Sequence, residues 1–471
     1  MRTTALWSLS ATELAAGYLA GEFSPDDALE AVLERLDAVN PLINAVIAVD
    51  RNGAHTAAAQ SSARWRAGAP LSALDGIPVT IKDNLFVRGL PATWGSLAHQ
   101  TFVPDVDEPA VARLRGAGLV ILGKTNVPEF TLQGYTDNLV FGTTRNPHAR
   151  ERTPGGSSGG AAAAVAAGIA PIAIGTDGGG SLRRPAAHCG LFAFKPSIGQ
   201  IARHGGFPAI LADFEVIGPI ARHPNDLAAV FDLLRGFDAR DPRSLSANAP
   251  WVEFPTPLRV GYFRQIGTAP VDPAISAAAD AFADALERDG CAVRSIESPF
   301  DLSATGTAWS NVAAVGLAWY LDKHPEIVGR VGANAAATAA AGRSKSTTDY
   351  VDGLAFAAQS RFDAAALFET FDLLLCPATA ALAWPAGEAF PAMIDGQRVG
   401  PRGHAIFTAW MNVAGLPVVT VPVAMTREDG GIGMQLVAAS GQDRTLLNFL
   451  RNAPAIRALG TAGLTEGLLQ S

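Results

Sequence analysis

Short apolar runs and stretches of helical periodicity alternate along most of this chain. Ser10-x-x-Glu13 has the spacing of a capping box, in which each side chain satisfies the other's backbone N–H, and the helix it opens ends near Gly21. Ser24 before Pro25 is a second start, with serine as cap and proline in the first turn. Leu29, Val32, Leu33 and Leu36 then recur at helical spacing. Arg51 to Gly68 reads as an alanine-rich helix, and Gly76 to Ile81 as a short, branched, buried strand. Ala110 to Ala117 reads as helix, Leu119 to Leu122 as strand, Ala161 to Ala167 as a small-residue helix and Ile172 to Ile174 as strand. Ile275 to Glu287 is an amphipathic helix. This alternation predicts an α/β fold with helices on both faces of a sheet. A proline-rich stretch around Ala249 to Pro257 marks an insertion boundary, and Ala333 to Ala341 fits either a helix or a mobile lid.

Composition sharpens this picture. Of 471 residues, 48% are hydrophobic and 17% charged, enough to fill a large core. The net charge of −8, without a basic stripe, excludes nucleic acid as a partner. The apolar run Ala161 to Ile174 is broken by glycine and proline and is too short to span a membrane. Met1 to Thr4 lead directly into helix signals with no apolar leader segment. Cys189, Cys291 and Cys376 are odd in number and far apart, which argues against a disulfide framework or zinc site. The expectation is a reduced, cytoplasmic protein without a membrane partner.

The chemistry gathers in two glycine-bedded segments, Gly155-Gly156-Ser157-Ser158-Gly159-Gly160 and Gly175-Thr176-Asp177-Gly178-Gly179-Gly180-Ser181-Leu182-Arg183. Glycine lets backbone approach a ligand closely, so several N–H groups can converge where a negative oxygen develops. Upstream, the strand at 76–81 runs into Lys82-Asp83-Asn84. Two serines and a lysine in such settings point to nucleophilic acyl transfer without histidine. Each residue also has a plain reading. Lys82 at a strand end fits a snorkelling surface lysine; Ser181 fits a helix-cap serine in a glycine turn; Ser158 fits a loop hydroxyl bonding the backbone. Asp177 and Arg183 flank the second loop and can pair across it, while Asp83 and Asn84 hold the turn after the strand.

Two motif matches fail on context. Gly-x-Ser-x-Gly around Ser157 and Ser158 has the form of a nucleophile elbow, but polar, proline-bounded residues 146–154 stand where the elbow needs a strand. Gly118 to Thr125 has phosphate-loop spacing, but Leu119 to Leu122 is itself the strand. The eight histidines show no ligand spacing, and the cysteines read as buried filler.

The glycine–serine segments and Lys82, with Gly123-Lys124-Thr125-Asn126, Thr144-Arg145-Asn146-Pro147, Phe194-Lys195-Pro196-Ser197, Gly218-Pro219-Ile220 and Asn412 to Pro417, resemble the amidase signature family of serine hydrolases. The resemblance is good from about Leu29 to Pro219 and from about Phe371 to Leu447, and poor between about Arg243 and Thr370. It implies one large domain over 1–471 on a central mixed sheet, with a motif core at about 70–225, a variable pocket region at about 243–370 and a C-terminal part at about 371–471. It implies a Ser–cisSer–Lys triad of Ser181 as nucleophile, Ser157 after a cis bond from Gly156, and Lys82 as base. Gly178, Gly179, Gly180 and the Ser181 N–H match the oxyanion hole, supported by Gly156, Ser158, Asp177 and Arg183. The family more often has a larger residue at Gly178, so the loop here is expected to be looser or to admit a bulkier acyl group. The implied activity is hydrolysis of a linear, small-molecule amide through an acyl-enzyme, with no cofactor and no metal, and with room for a homodimer. Two alternatives remain: a glutamine-hydrolysing amidotransferase subunit, whose arginine region falls at the uncharged Ala337 and Thr338, and a catalytically silent binding protein. Trp309, Trp319 and Tyr320 are candidates for an apolar pocket or for core packing.

Overall fold

The computed structural model describes residues 5–459, apart from 249, 251 and 427. Met1 to Thr4 and part of the proline-rich stretch at 249–257 therefore lie outside the described residues. Among the described residues, thirteen strands follow in chain order: β1 Val46–Val49, β2 Pro78–Lys82, β3 Val120–Thr125, β4 Ile172–Asp177, β5 Phe192–Lys195, β6 Val216–Ala221, β7 Arg259–Tyr262, β8 Ala292–Ser295, β9 Leu373–Pro377, β10 Met393–Ile394, β11 Gln397–Arg398, β12 Val418–Thr426 and β13 Gly430–Val437. Eleven of them form one mixed sheet in the order β1-β3-β2-β4-β6-β5-β12-β13-β9-β7-β8, and β10 and β11 pair separately. The runs β3-β2-β4 and β8-β7-β9 are parallel, and the remaining neighbours are antiparallel.

Successive strand side chains point to opposite faces, and both faces of this sheet are apolar. On β4, Ile172 and Ile174 join a core with Leu227 and Phe231 of helix Pro224–Leu234. Ala173 between them packs against Ala161 and Val165 of helix Gly159–Ala166. Helices thus cover both faces, as an α/β domain requires. The helix at 159–166 is wholly buried, which explains its composition of alanine, glycine and one valine.

The capping signals behave as the sequence predicts. Ser10 and Glu13 form the box that opens helix Ala11–Ala20, and Gly21 ends it with φ +68° in the left-handed region. Ser24 caps helix Pro25–Ile43, completing a box with Asp27. Strand ends differ more. β3 runs on through Lys124 and Thr125, and Lys124 Nζ donates to the Leu85 and Pro91 carbonyls at 2.6 and 2.9 Å, so that lysine is structural. β4 extends to Asp177, three residues beyond the apolar run, because it pairs with β6 along its whole length. Ala333–Arg343 is a helix packed on helix Leu302–Lys323, which decides the choice left open for 333–341. Among the described residues, no helix is long and apolar enough to cross a membrane.

Candidate active site

β2 carries Lys82 into the interior, where it has no exposed surface. Its Nζ lies 2.9 Å from Ser157 Oγ, 2.9 Å from Thr176 Oγ1 and 3.1 Å from the Thr176 carbonyl. β4 pairs in parallel with β2, which places Thr176 near the lysine. Burial pushes the Lys82 pKa down to about 7; Glu215 and Asp177 oppose this, while Arg203 and Arg184 add to it. The snorkelling reading is therefore set aside. Asn84 donates to Thr176 Oγ1 and to Glu215 Oε1, and Glu215 pairs with Arg203 at 2.5 Å, so a polar chain runs outward from the lysine. Asp83 accepts from the Thr93 N–H and hydroxyl and lies 3.7 Å from Lys124, holding the following loop.

Ser157 follows a cis peptide bond from Gly156. Ser158 Oγ donates to the Thr176 carbonyl at 3.1 Å, and its N–H donates to the Ser181 carbonyl at 3.1 Å, joining the two serine loops. The second loop is built around Asp177. This carboxylate accepts from the N–H groups of Gly180 and Leu182, from Arg183 Nε and Nη2 at 2.9 Å each, and from Asn412. Burial alone would raise the Asp177 pKa, but Arg183, Lys195 and Asn412 hold it well below the usual carboxylate range. Arg183 continues to Gln435, the Thr408 carbonyl and Asn412, tying the loop to the C-terminal part of the chain. The expected pairing of Asp177 with Arg183 is present.

Two expectations for the glycines change. Gly180, at φ +111°, gives its N–H to Asp177 at 2.6 Å, so this donor shapes the loop and does not face incoming substrate. A Cβ at Gly178 would meet Leu211 and Glu215, so the glycine accommodates close packing and opens no space for a larger acyl group. Trp309 donates from Nε1 to the Gly178 carbonyl at 2.6 Å. Arg184 donates to the carbonyls of Gly179 and Gly156 and to Thr408 Oγ1. Of the three aromatic candidates, Trp309 lines a cavity beside the loop, Tyr320 is buried in a core cluster, and Trp319 is exposed. Sequence reasoning missed Thr176, Glu215, Arg184, Thr408 and Asn412 as neighbours of the site. Thr176 lay inside the second glycine segment, Asn412 opened the segment Asn412 to Pro417 and Arg184 stood beside Arg183, whereas Glu215 and Thr408 carried no signal. Cys189 and Cys376 are buried and Cys291 is partly buried, all as free thiols. Among the described residues, no group of three His, Cys, Asp or Glu side chains is placed to hold a metal ion.

The mixed sheet covered by helices places this chain in the α/β class, with a buried serine–lysine contact at its centre. It belongs to the amidase signature family: the Amidase family model matches residues 27–447. The chain is 35% identical to a glutamyl-tRNA(Gln) amidotransferase subunit of Acidothermus cellulolyticus, over 91% of this chain and 90% of that protein. It is 34% identical to an acylamidase of Rhodococcus erythropolis, over 95% of each. The crystal structure of a bacterial aryl acylamidase of the amidase signature family superposes with a TM-score of 0.86 at 27% identity, covering 96% of each chain. This protein is an enzyme, an amide hydrolase acting on carbon–nitrogen bonds.

Proposed function

We propose that this chain hydrolyses a linear carboxamide through Ser181, Ser157 and Lys82. The observation that carries the reading is the 2.9 Å contact between a buried Lys82 Nζ and Ser157 Oγ. A neutral amine has two N–H bonds and one lone pair. Here Thr176 offers two oxygens for the N–H bonds, which leaves the lone pair to accept the Ser157 hydroxyl proton. Ser157 Oγ can then take the proton of Ser181 as that oxygen attacks the amide carbon. Ser181 keeps 7% of its surface exposed, against 1% for Ser157, so substrate meets Ser181.

The N–H groups of Gly178, Gly179 and Ser181 are the donors proposed for the developing oxyanion, with Gly180 holding the loop through Asp177. Collapse of the tetrahedral centre breaks the C–N bond. The proton held by Ser157 and Lys82 goes to the departing nitrogen, releasing ammonia or an amine. Water then attacks the Ser181 ester, its proton returns by the same route, and the carboxylate leaves. No cofactor enters this scheme. A fluorophosphonate should add once, and digestion should place the adduct on the peptide containing Ser181. An adduct on Ser157 or Ser158 would overturn the assignment.

Identity with an amidotransferase subunit supports a second reading, release of ammonia from glutamine for a partner. Co-purification with a larger protein together with glutamine-dependent ammonia release would favour it over a free-standing amidase.

A further inference from the structure

A cavity of about 410 Å³ is separated from the 178–181 loop by side chains that pack on that loop. Trp309 and Arg184 line it, and both are bonded to that loop's carbonyls, Trp309 to Gly178 and Arg184 to Gly179. Ala337, Thr338, Arg402 and His404 complete the part of the wall that matters here. Ala337 and Thr338 are uncharged, yet the structure brings two cations to them from distant segments. Arg184 is 3% exposed, and its Nε has no hydrogen-bond partner. Arg402 lies over the Trp309 ring at 3.9 Å, and its buried Nη2 has no partner either. His404 is 2% exposed with both ring nitrogens unpartnered. None of the described lining residues is aspartate or glutamate.

A buried guanidinium and a half-buried one whose Nη2 is buried, with no carboxylate among the lining residues, are costly, because each loses hydration and repels the other. Burial, then Arg402, presses the Arg184 pKa down to about 9, the direction expected of a cation that lacks a counter-charge. The Asp177 charge opposes this only in part, since its oxygens are committed to Arg183, Asn412 and two backbone N–H groups. The remaining lining is largely small and apolar, chiefly alanines with Phe390 and Pro401.

We propose that this cavity binds a carboxylate carried by the substrate, between Arg184 and Arg402, so that the enzyme's substrates are small amides bearing an acidic group. A carboxylate accepts charge-assisted hydrogen bonds from both guanidinium groups and supplies the missing negative charge. The alanine-rich wall takes the short aliphatic part. The same lining disfavours an α-amino acid, because an ammonium would find no anion there. Glu129 and Asp137 line a neighbouring cavity, where Ser96 and the Gly332 N–H occupy Glu129 and Thr143 occupies Asp137. This inference rests on the amide-hydrolysis reading and names its substrate class.

The test compares kcat/KM for matched pairs. Malonamate, succinamate and glutaramate carry the carboxylate in the acyl half, and 4-methylpentanamide is the neutral isostere of succinamate. N-acetylglycine carries it in the amine half, and N-isobutylacetamide is its neutral isostere. At least one acidic substrate should exceed its neutral isostere by at least about tenfold, the scale of a buried charge-assisted pair. In Arg402→Met, which keeps an unbranched stem over Trp309, that ratio should fall by at least about tenfold. Neutral isosteres equal or superior in both arms, or a preference unchanged in Arg402→Met, would overturn the proposal. Succinate binding by calorimetry is read independently of turnover. Saturable binding to the wild type, weakened at least about tenfold in Arg402→Met, supports the anion site even if no amide is cleaved. Absent binding, or equal binding by both proteins, overturns it. If Ser181 stays unlabelled by fluorophosphonate while succinate binds, the catalytic reading fails and the anion site stands.

Discussion

Lys82 shows what a single residue can and cannot reveal. Its position at the end of an apolar strand, and its match to a family motif, were visible in the chain. Ser157, 75 residues away, was tied to it only by the family motif, and Thr176, 94 residues away, was not foreseen, because both reach it only through strand pairing and loop closure. Glu215 and Arg203 had no motif at all. They nevertheless set the charge felt by the lysine. If neutral Lys82 is the base, activity is present above its pKa of about 7 and is lost as pH falls through that value. Lys82→Ala should lose about 10²–10⁴-fold in kcat, and Lys82→Arg should be similarly impaired, because guanidinium stays protonated. Glu215→Gln removes the largest influence that raises the Lys82 pKa and leaves Arg203 uncompensated beside it. The acid limb of the kcat/KM profile should therefore move to lower pH. A limb that stays in place, or an active arginine variant, would remove Lys82 from the base role.

At the scale of elements, residues that act locally were the most legible. Ser10, Ser24 and Gly21 act within one helical turn, so capping chemistry placed those helix ends well. Strand ends were less so, because neighbouring strands set how far pairing continues, as β4 shows by running to Asp177. The alanine-rich run at 333–341 was ambiguous for a related reason. Small residues suit a mobile segment, and they equally suit a helix pressed against another. Gly342 decides between these: a Cβ there would run into the backbone carbonyl of Ala314 on helix Leu302–Lys323. Gly342→Ala should force the two helices apart and cost about 1–3 kcal/mol, the usual penalty for overpacking. Both helices line the proposed anion cavity, through Trp309 and Thr338 among others. The lower urea midpoint should therefore come with a higher KM. A midpoint equal to the wild type would mean that this helix is loosely held.

At the scale of the whole molecule, the alternation of strand and helix patterns was enough for the α/β class, while the strand order was not legible. Nothing local says that β12 and β13, near the C-terminus, insert between β5 and β9. That insertion brings Asn412 and Gln435 onto Arg183 and so closes the site. It also buries Lys195, on β5 beside β12, whose Nζ donates to the Pro196 carbonyl. Burial, then Arg183, lowers the Lys195 pKa to about 7, as burial does for Lys82. In the unfolded chain both lysines should titrate near 10.5. Above pH 7 the unfolded state therefore binds more protons than the native state, and stability must rise with pH. Below pH 7 both states are protonated and the burial penalty is fully felt. Each lysine contributes up to about 1.4 kcal/mol per pH unit, so the pair predicts a gain of about 2–4 kcal/mol between about pH 7 and pH 8.5. That window lies below the range in which unfolded thiols and phenols begin to oppose it. Lys195→Met should roughly halve the gain in urea unfolding, while the remaining half, due to Lys82, persists. A wild-type midpoint that is flat or falling across this window would show that the two amines keep their protons in the native protein, and would count against the neutral Lys82 on which the proposed chemistry depends.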